Sequence, residues 1–215
     1  MNTPNKITLS RFFFAIVMII IYCLNFLPNA SSFAPMLGTS GFNWIDLVCA
    51  IVFTVGAITD SIDGHLARKH HLVTNLGKFL DPLADKFLVD SALILLATKV
   101  DPNGKFYLFP AMVVLFVGRD LAMDGLRMIA NSKGRVLAAN IYGKIKTVLE
   151  MVAIPVIFLN GFPFNYCDFQ GLGNFQYTYV ITNCLAFIAL AMSLISCFIY
   201  FKQNYDVLKE EGTKK

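Results

Sequence analysis

Two of the connections between apolar runs in this 215-residue chain hold no lysine or arginine, Pro28 to Asn43 and Asn160 to Gln176, although the chain carries 18 basic residues. Nor does the chain contain an internal repeat, a low-complexity tract or an interdomain linker. Those absences exclude a solenoid or a string of modules and leave one domain over 1–215, with 202–215 as a charged tail. The five cysteines, Cys23, Cys49, Cys167, Cys184 and Cys197, show no C-x-x-C pair and no zinc-type spacing. A redox motif or zinc ribbon is thereby excluded, and cysteines in apolar runs read as small buried hydrophobes. The three histidines, His65, His70 and His71, flank a carboxylate-rich segment in which zinc would compete poorly with harder ions, so they read as surface side chains.

What is abundant is apolar. The chain is 56% hydrophobic, with 20 phenylalanines and a mean hydropathy of +0.61, too much for a soluble domain of this size. The main apolar runs are Phe12 to Leu27, Trp44 to Ile58, Phe87 to Ala97, Phe106 to Val117, Val148 to Leu159 and Tyr177 to Phe201. Several fall short of the roughly 20 residues that span a bilayer, so length alone leaves them as either spans or buried core helices. Charge placement decides. Of the 18 basic residues, all but Lys99 and Lys105 lie on alternate connections, the positive-inside pattern of six spans with both termini cytoplasmic. Trp44, Tyr107 and Tyr177 stand at span ends, where amphipathic rings favour the interface. Lys6 and Arg11 before the first run give it the outline of a signal peptide. Its apolar core is long for one, however, and Pro35 after Ser32-Phe33-Ala34 suits cleavage poorly, so the run is read as a retained span.

The expected fold is therefore an all-α integral membrane protein with six transmembrane helices and cytoplasmic helix extensions. Residues Asn2 to Arg11 suggest a short N-terminal helix on the membrane surface, with Ile7 and Leu9 near Lys6 and Arg11. Arg119 to Ala130 continues the fourth span, Asn131 to Gly134 marks a turn, and Leu137 to Lys146 leads into the fifth span. Beyond Lys202 the tail lacks an apolar face and reads as solvated.

Between Asp60 and Asp85 the chain reads D-x2-D-G-x2-A-R-x8-G-x3-D-x3-D. Carboxylates beside a low-dielectric slab cost roughly 2.5 to 3.5 kcal/mol each on insertion scales, so they face a polar cavity and carry a task. At about 100° per residue, Asp60, Asp63, Gly64 and Ala67 share one helix face, and Asp81 and Asp85 lie one turn apart on the next helix after Gly77. Pro82 fits if Asp81 lies in the opening turn of that helix. Carboxylate oxygens suit hard Mg2+ or Mn2+, and two such ions are the usual clamp on a transferring phosphoryl group. Arg68 would then bind phosphate or a neighbouring carboxylate. The plain alternative is that the acids pair with Arg68, Lys78 and Lys86 and only hold helices in register.

This run resembles, without gap or substitution, the signature of the CDP-alcohol phosphatidyltransferase family. The resemblance implies six transmembrane helices, a homodimer, and transfer of a phosphatidyl or related group from a CDP-linked donor to an alcohol. It also implies that Asp60, Asp63 and Asp81 are metal ligands, that Asp85 is both ligand and general base, and that Gly64, Ala67, Arg68 and Gly77 face the donor. Pro4-Asn5, Thr8 and Arg11, Gly118-Arg119, Gly125-Leu126-Arg127 and Gly143 to Thr147 extend the likeness to the bacterial branch that uses CDP-diacylglycerol and glycerol 3-phosphate. Asn5, Thr8 and Arg11 join the donor site by that likeness.

A dianionic acceptor needs cations beside the metals, and Arg119, Arg127, Lys133, Arg135, Lys144 and Lys146 supply them. Their bland reading is contact with anionic headgroups. Asp120 stands where that branch commonly has Glu, and Glu150 where Gln is more usual. Asp90 either tunes the site or pairs with a neighbouring helix. Rival readings are the same chemistry on inositol phosphate, serine or phosphatidylglycerol, a catalytically silent lipid-binding scaffold, and a cation-coupled transporter. Transporters tend to place midplane acids on interrupted half-repeats, whereas these acids cluster in one cytoplasmic-edge segment. No nucleic-acid partner is expected, and the location implied is the bacterial cell membrane, with the active site on the cytoplasmic side.

Overall fold

The structure, a computed structural model, describes residues 3–27, 42–69, 75–100, 104–134, 141–162 and 177–208, with the backbone alone at 3–8, 60–69, 75–82, 85, 177–179 and 207–208. Six long helices carry the chain: α1 (Thr3–Cys23), α2 (Trp44–Lys69), α3 (Asn75–Ala97), α4 (Pro110–Ser132), α5 (Ile141–Phe158) and α6 (Tyr177–Gln203). A single turn, α7 (Tyr205–Leu208), follows α6. Val100 and Phe106 form an isolated antiparallel bridge.

Apolar side chains at helical spacing build the core. Ala15, Met18 and Tyr22 on α1 meet Ile45, Cys49 and Phe53 on α2, and Leu88, Ala92 and Leu96 on α3 close the cluster. Helix α1 packs on α2 and α3, α5 on α6 and α2, and α4 on α6. At Gly56 the first three helices meet: a Cβ there would sit 3.0 Å from Leu88 Cδ2 and 3.4 Å from Phe14 Cβ. The outward faces are equally apolar, with Phe13, Ile20, Ile51, Val114, Phe187 and Phe198 all exposed. Helices bathed in water would carry charge there instead.

Among the described residues, two helical segments are long and apolar enough to cross a membrane, Leu9–Phe26 and Val180–Gln203, and Trp44–Thr59 is a shorter apolar helix. The remaining long helices are diluted by charge where they extend past their apolar runs. At about 1.5 Å per residue, the 26 residues of α2 measure about 39 Å, longer than a hydrocarbon core of about 30 Å.

Four expectations are corrected. The surface helix expected over 2–11 is not separate, because α1 runs unbroken from Thr3: Pro4 lies in its first turn, where proline is tolerated, and no further Pro or Gly interrupts it. Helix α3 begins at Asn75, so Pro82 is its eighth residue and not in its opening turn. The bond that proline cannot make to the Lys78 carbonyl is one loss inside a long helix held by its neighbours. The fourth apolar run is not helical from Phe106, since Pro110 at the first helical position sets the start of α4 and the preceding residues pair back on Val100. Cys49 is buried, but Cys23 and Cys184 are exposed, on helices whose outer faces are themselves apolar. At the turn after α4, Asn131 and Ser132 are still helical and Gly134 takes the positive φ of +69°.

Helix ends at the face away from the aspartates are tightly finished. Asn43 Oδ1 accepts from Asp46 N–H at 2.8 Å while Asp46 Oδ2 lies 3.5 Å from Asn43 N–H, a capping box on α2. Helix α5 closes with Asn160 at φ 50°, Gly161 N–H on Val156 O at 2.8 Å and Asn160 N–H on Ile157 O at 3.1 Å. Between these ends sits Lys99. Its Nζ lies 2.9 Å from Asp46 Oδ2, donates to Phe158 O and stands 5.4 Å from the Tyr107 ring centroid. Burial pushes this ammonium below its usual range, against the pull of Asp46 in the opposite direction. One of the two cations that break the alternating pattern is thus buried and neutralised.

Candidate active site

Every long helix contributes to one cavity of about 310 Å³. Arg11 enters from α1, Ala57 from α2, Lys86, Leu88 and Val89 from α3, Arg119 and Arg127 from α4, Lys144 and Lys146 from α5, and Ser196 and Tyr200 from α6. Six basic residues line it against two acidic ones, Asp120 and Glu150. Such a surplus in a low-dielectric recess favours an anion.

The two helices that bear the aspartates reach this cavity through residues next to the motif. Ala57 lines it, and helical spacing puts positions 60 and 64 on the same face of α2. Leu88 and Val89 line it from α3, with position 85 one turn before them and position 81 two turns before. The side chains of Asp60, Asp63, Gly64, Ala67, Arg68, Gly77, Asp81 and Asp85 lie outside the described residues, as do those of Asn5 and Thr8. Elsewhere, among the described residues, no three His, Cys, Asp or Glu side chains gather as a metal site.

Of the basic residues expected around an acceptor, Arg119, Arg127, Lys144 and Lys146 are brought together. Lys133 is not among the lining residues: it is exposed at the C-cap of α4. Arg135 lies outside the described residues. The gathered cations differ in surroundings. Arg127 and Lys144 are exposed, and Arg127 sits 6.0 Å from the Tyr200 ring centroid. Lys146 is buried, and its Nζ donates to Asp120 Oδ1 at 2.9 Å and Oδ2 at 2.8 Å. Glu150 Oε1, one turn along α5, is 2.9 Å from the same Nζ, an ion pair that misses hydrogen-bond alignment.

Arg119 is held on three sides. Its Nη1 donates to Asp120 Oδ1 at 2.6 Å, its Nε to Ser193 O at 3.1 Å and its Nη2 to Ser196 Oγ at 3.3 Å. Asp120 is buried, and the charges and hydrogen bonds of Lys146 and Arg119 offset the cost of burying its carboxylate. Lys86 completes the arrangement by pairing with Asp124 and donating to Asp120 O at 3.2 Å.

Several of these residues escaped sequence reasoning. Ser193, Ser196 and Tyr200 recur at i, i+3 and i+7 on an otherwise apolar helix, a polar stripe that was legible but not read. The sequence suggests Lys86 as a partner for the motif acids, whose side chains lie outside the described residues; among the described residues its partners are Asp124 and the Asp120 carbonyl.

Residues 1–195 match a family model described as CDP-alcohol phosphatidyltransferase. The chain is 37% identical over 209 residues to a Bacillus subtilis protein named CDP-diacylglycerol–glycerol-3-phosphate 3-phosphatidyltransferase, covering 97% of each chain. Relatives of the same name from Mycoplasma genitalium and Rickettsia bellii are 33% and 31% identical, covering 98% and 94% of this chain and 86% and 94% of their own.

Proposed function

This chain belongs to the CDP-alcohol phosphatidyltransferase family, and from that premise we propose that it transfers the phosphatidyl group of CDP-diacylglycerol to glycerol 3-phosphate, giving phosphatidylglycerol phosphate and CMP. The observation that carries the acceptor is the cavity itself, in which Arg119, Arg127, Lys144 and Lys146 meet beside the helix faces of the aspartate motif. A doubly charged phosphate suits that surplus, whereas serine needs no such cluster.

The donor lies with its acyl chains in the inner leaflet and its cytidine diphosphate against Asn5, Thr8, Arg11, Gly64, Ala67, Arg68 and Gly77. The 1-hydroxyl of glycerol 3-phosphate attacks the lipid-linked phosphorus in line, Asp85 takes its proton, and the bond to CMP breaks. Asp60, Asp63, Asp81 and Asp85 form an all-oxygen donor set that fits two Mg2+ or Mn2+ ions. When bound, such ions supply positive charge to the diphosphate and the departing CMP. The acceptor's phosphate enters among the basic residues of α4 and α5, and Lys133 and Arg135 are further candidates to meet it.

Two apolar helices and a membrane-associated family mark this as a bacterial membrane protein. The finer reading is six spans, α1 to α6, with the cavity and both termini cytoplasmic and two copies forming a homodimer. Charge alternation along the chain and six long helices with apolar outer faces support it.

The test supplies the purified protein with CDP-diacylglycerol and a panel of labelled alcohols, with Mg2+, Mn2+ or chelator, and identifies the lipid formed. Phosphatidylglycerol phosphate forms from glycerol 3-phosphate and stops with chelator. Asp85→Asn loses transfer while still binding CDP-diacylglycerol, and wild-type turnover in that variant eliminates Asp85 as the base. Another alcohol reacting while glycerol 3-phosphate does not overturns the acceptor and keeps the donor chemistry.

A further inference from the structure

The six cations of the cavity are not equivalent. Arg119 and Lys146 share the carboxylate of Asp120, and Lys146 also pairs with Glu150. Two positive and two negative groups cancel, all four with side chains no more than 9% exposed. Lys86 is likewise neutralised by Asp124. Arg11, the remaining cation, is buried on α1 and belongs to the donor side of the proposed site, so the surplus charge exposed to an incoming acceptor falls to Arg127 and Lys144. Among the described residues, Arg127 is seen against the Tyr200 ring, and no ion pair involves Lys144.

Resting on the acceptor reading above, we infer a division of labour: Arg127 and Lys144 grip the acceptor's phosphate, while Asp120 is a positioning residue that locks Arg119 and Lys146 into a neutral wall behind it. The wall joins four helices. Asp120 and Arg119 stand on α4, Lys146 and Glu150 on α5, Ser193 and Ser196 on α6, and Lys86 reaches the Asp120 carbonyl from α3. Asp120 outranks Glu150 in this role because both of its oxygens receive aligned hydrogen bonds from Lys146 and one also receives Arg119. The Glu150 contact with Lys146 lacks that alignment. Losing Asp120 would release two cations at once into a recess built to present two others. An anion would then be held, but in the wrong place.

The experiment compares steady-state kinetics of the full-length protein with Arg127→Gln, Lys144→Gln, Asp120→Asn, Asp120→Glu and Glu150→Gln, with inorganic phosphate as a competing anion. Arg127→Gln and Lys144→Gln each raise the acceptor KM and the phosphate inhibition constant about tenfold, and kcat changes little. Asp120→Asn lowers kcat/KM for the acceptor at least tenfold with the CDP-diacylglycerol KM unchanged. Asp120→Glu recovers to within about threefold of wild type, and Glu150→Gln falls between it and Asp120→Asn.

An Asp120 of purely structural use would lower thermal stability and leave the acceptor KM of the folded fraction alone, and that outcome overturns the inference. So does a larger effect on phosphate inhibition from Glu150→Gln than from Arg127→Gln. Should Asp120→Asn not accumulate as folded protein, Lys146→Arg makes the same test, and an unchanged acceptor KM there refutes the wall. Wild-type protein that ignores glycerol 3-phosphate but binds inorganic phosphate through Arg127 and Lys144 refutes the acceptor reading and leaves the division of labour standing.

Discussion

Neutralising Lys99 should damage the protein far from its chemistry. The ammonium and the Asp46 carboxylate are 8% and 7% exposed and 2.9 Å apart, so neither has enough water to replace its partner. Lys99→Met keeps the length of the side chain and removes the charge, leaving Asp46 buried with only the capping-box contact to Asn43. Asp46→Asn leaves the ammonium on the Phe158 carbonyl and beside the Tyr107 ring. Breaking one side of a buried pair costs about 3 to 5 kcal/mol. For a chain of this size that lowers Tm by about 6 to 20 °C. Asp46→Asn combined with Lys99→Met removes both charges and should recover most of the loss, a coupling of at least about 2 kcal/mol in a double-mutant cycle. The assay is thermal unfolding in detergent, with turnover of each variant measured below its transition. Turnover should be unchanged, since the pair sits at the opposite end from the cavity. Single variants within about 1 kcal/mol of wild type, or a double variant as unstable as the sum of the singles, would refute the reasoning.

Two further outcomes follow from other parts of the bundle. Gly56→Leu overpacks the meeting of α1, α2 and α3 against Leu88 and Phe14, costing about 1 to 3 kcal/mol, and a detergent melt should fall by about 2 to 12 °C. Tyr200→Leu removes the ring beneath Arg127 and should raise the acceptor KM roughly two- to fivefold, whereas Tyr200→Phe stays within about twofold; equal effects would mean that the hydroxyl matters and the ring does not.

The six helices are readable in the sequence because their signals are local: apolar runs, and the polar segments that separate them. Both act residue by residue and need no partner. Six long helices follow the six apolar runs, although proline misled twice: Pro82 lies inside α3, and Pro110 starts α4 later than the run suggests. The gathering of Arg119, Arg127, Lys144 and Lys146 was also foreseeable, since all four lie on one polar segment near helix ends. What could not be read is which cations are already spoken for. Asp120 and Lys146 are 26 residues apart, and Asp46 and Lys99 are 53. Such pairings depend on how helices rotate against each other, which hydropathy does not encode. Lys99, an exception to the charge pattern when viewed as a loop residue, is consistent with it once Asp46 is seen beside it.

The cavity takes one wall from each of α1 to α6, with Arg11 of the first long helix and Tyr200 of the last facing the same space. On the six-span reading these helices would enter the membrane in the order in which they are made, and a growing chain would hold an incomplete pocket until α6 is inserted. A partly synthesised protein should then be unable to spend activated lipid. Fragments ending before α6 should be inert even where the whole aspartate motif is in place, and activity should return when α6 is supplied as a separate segment able to find its groove beside α4 and α5.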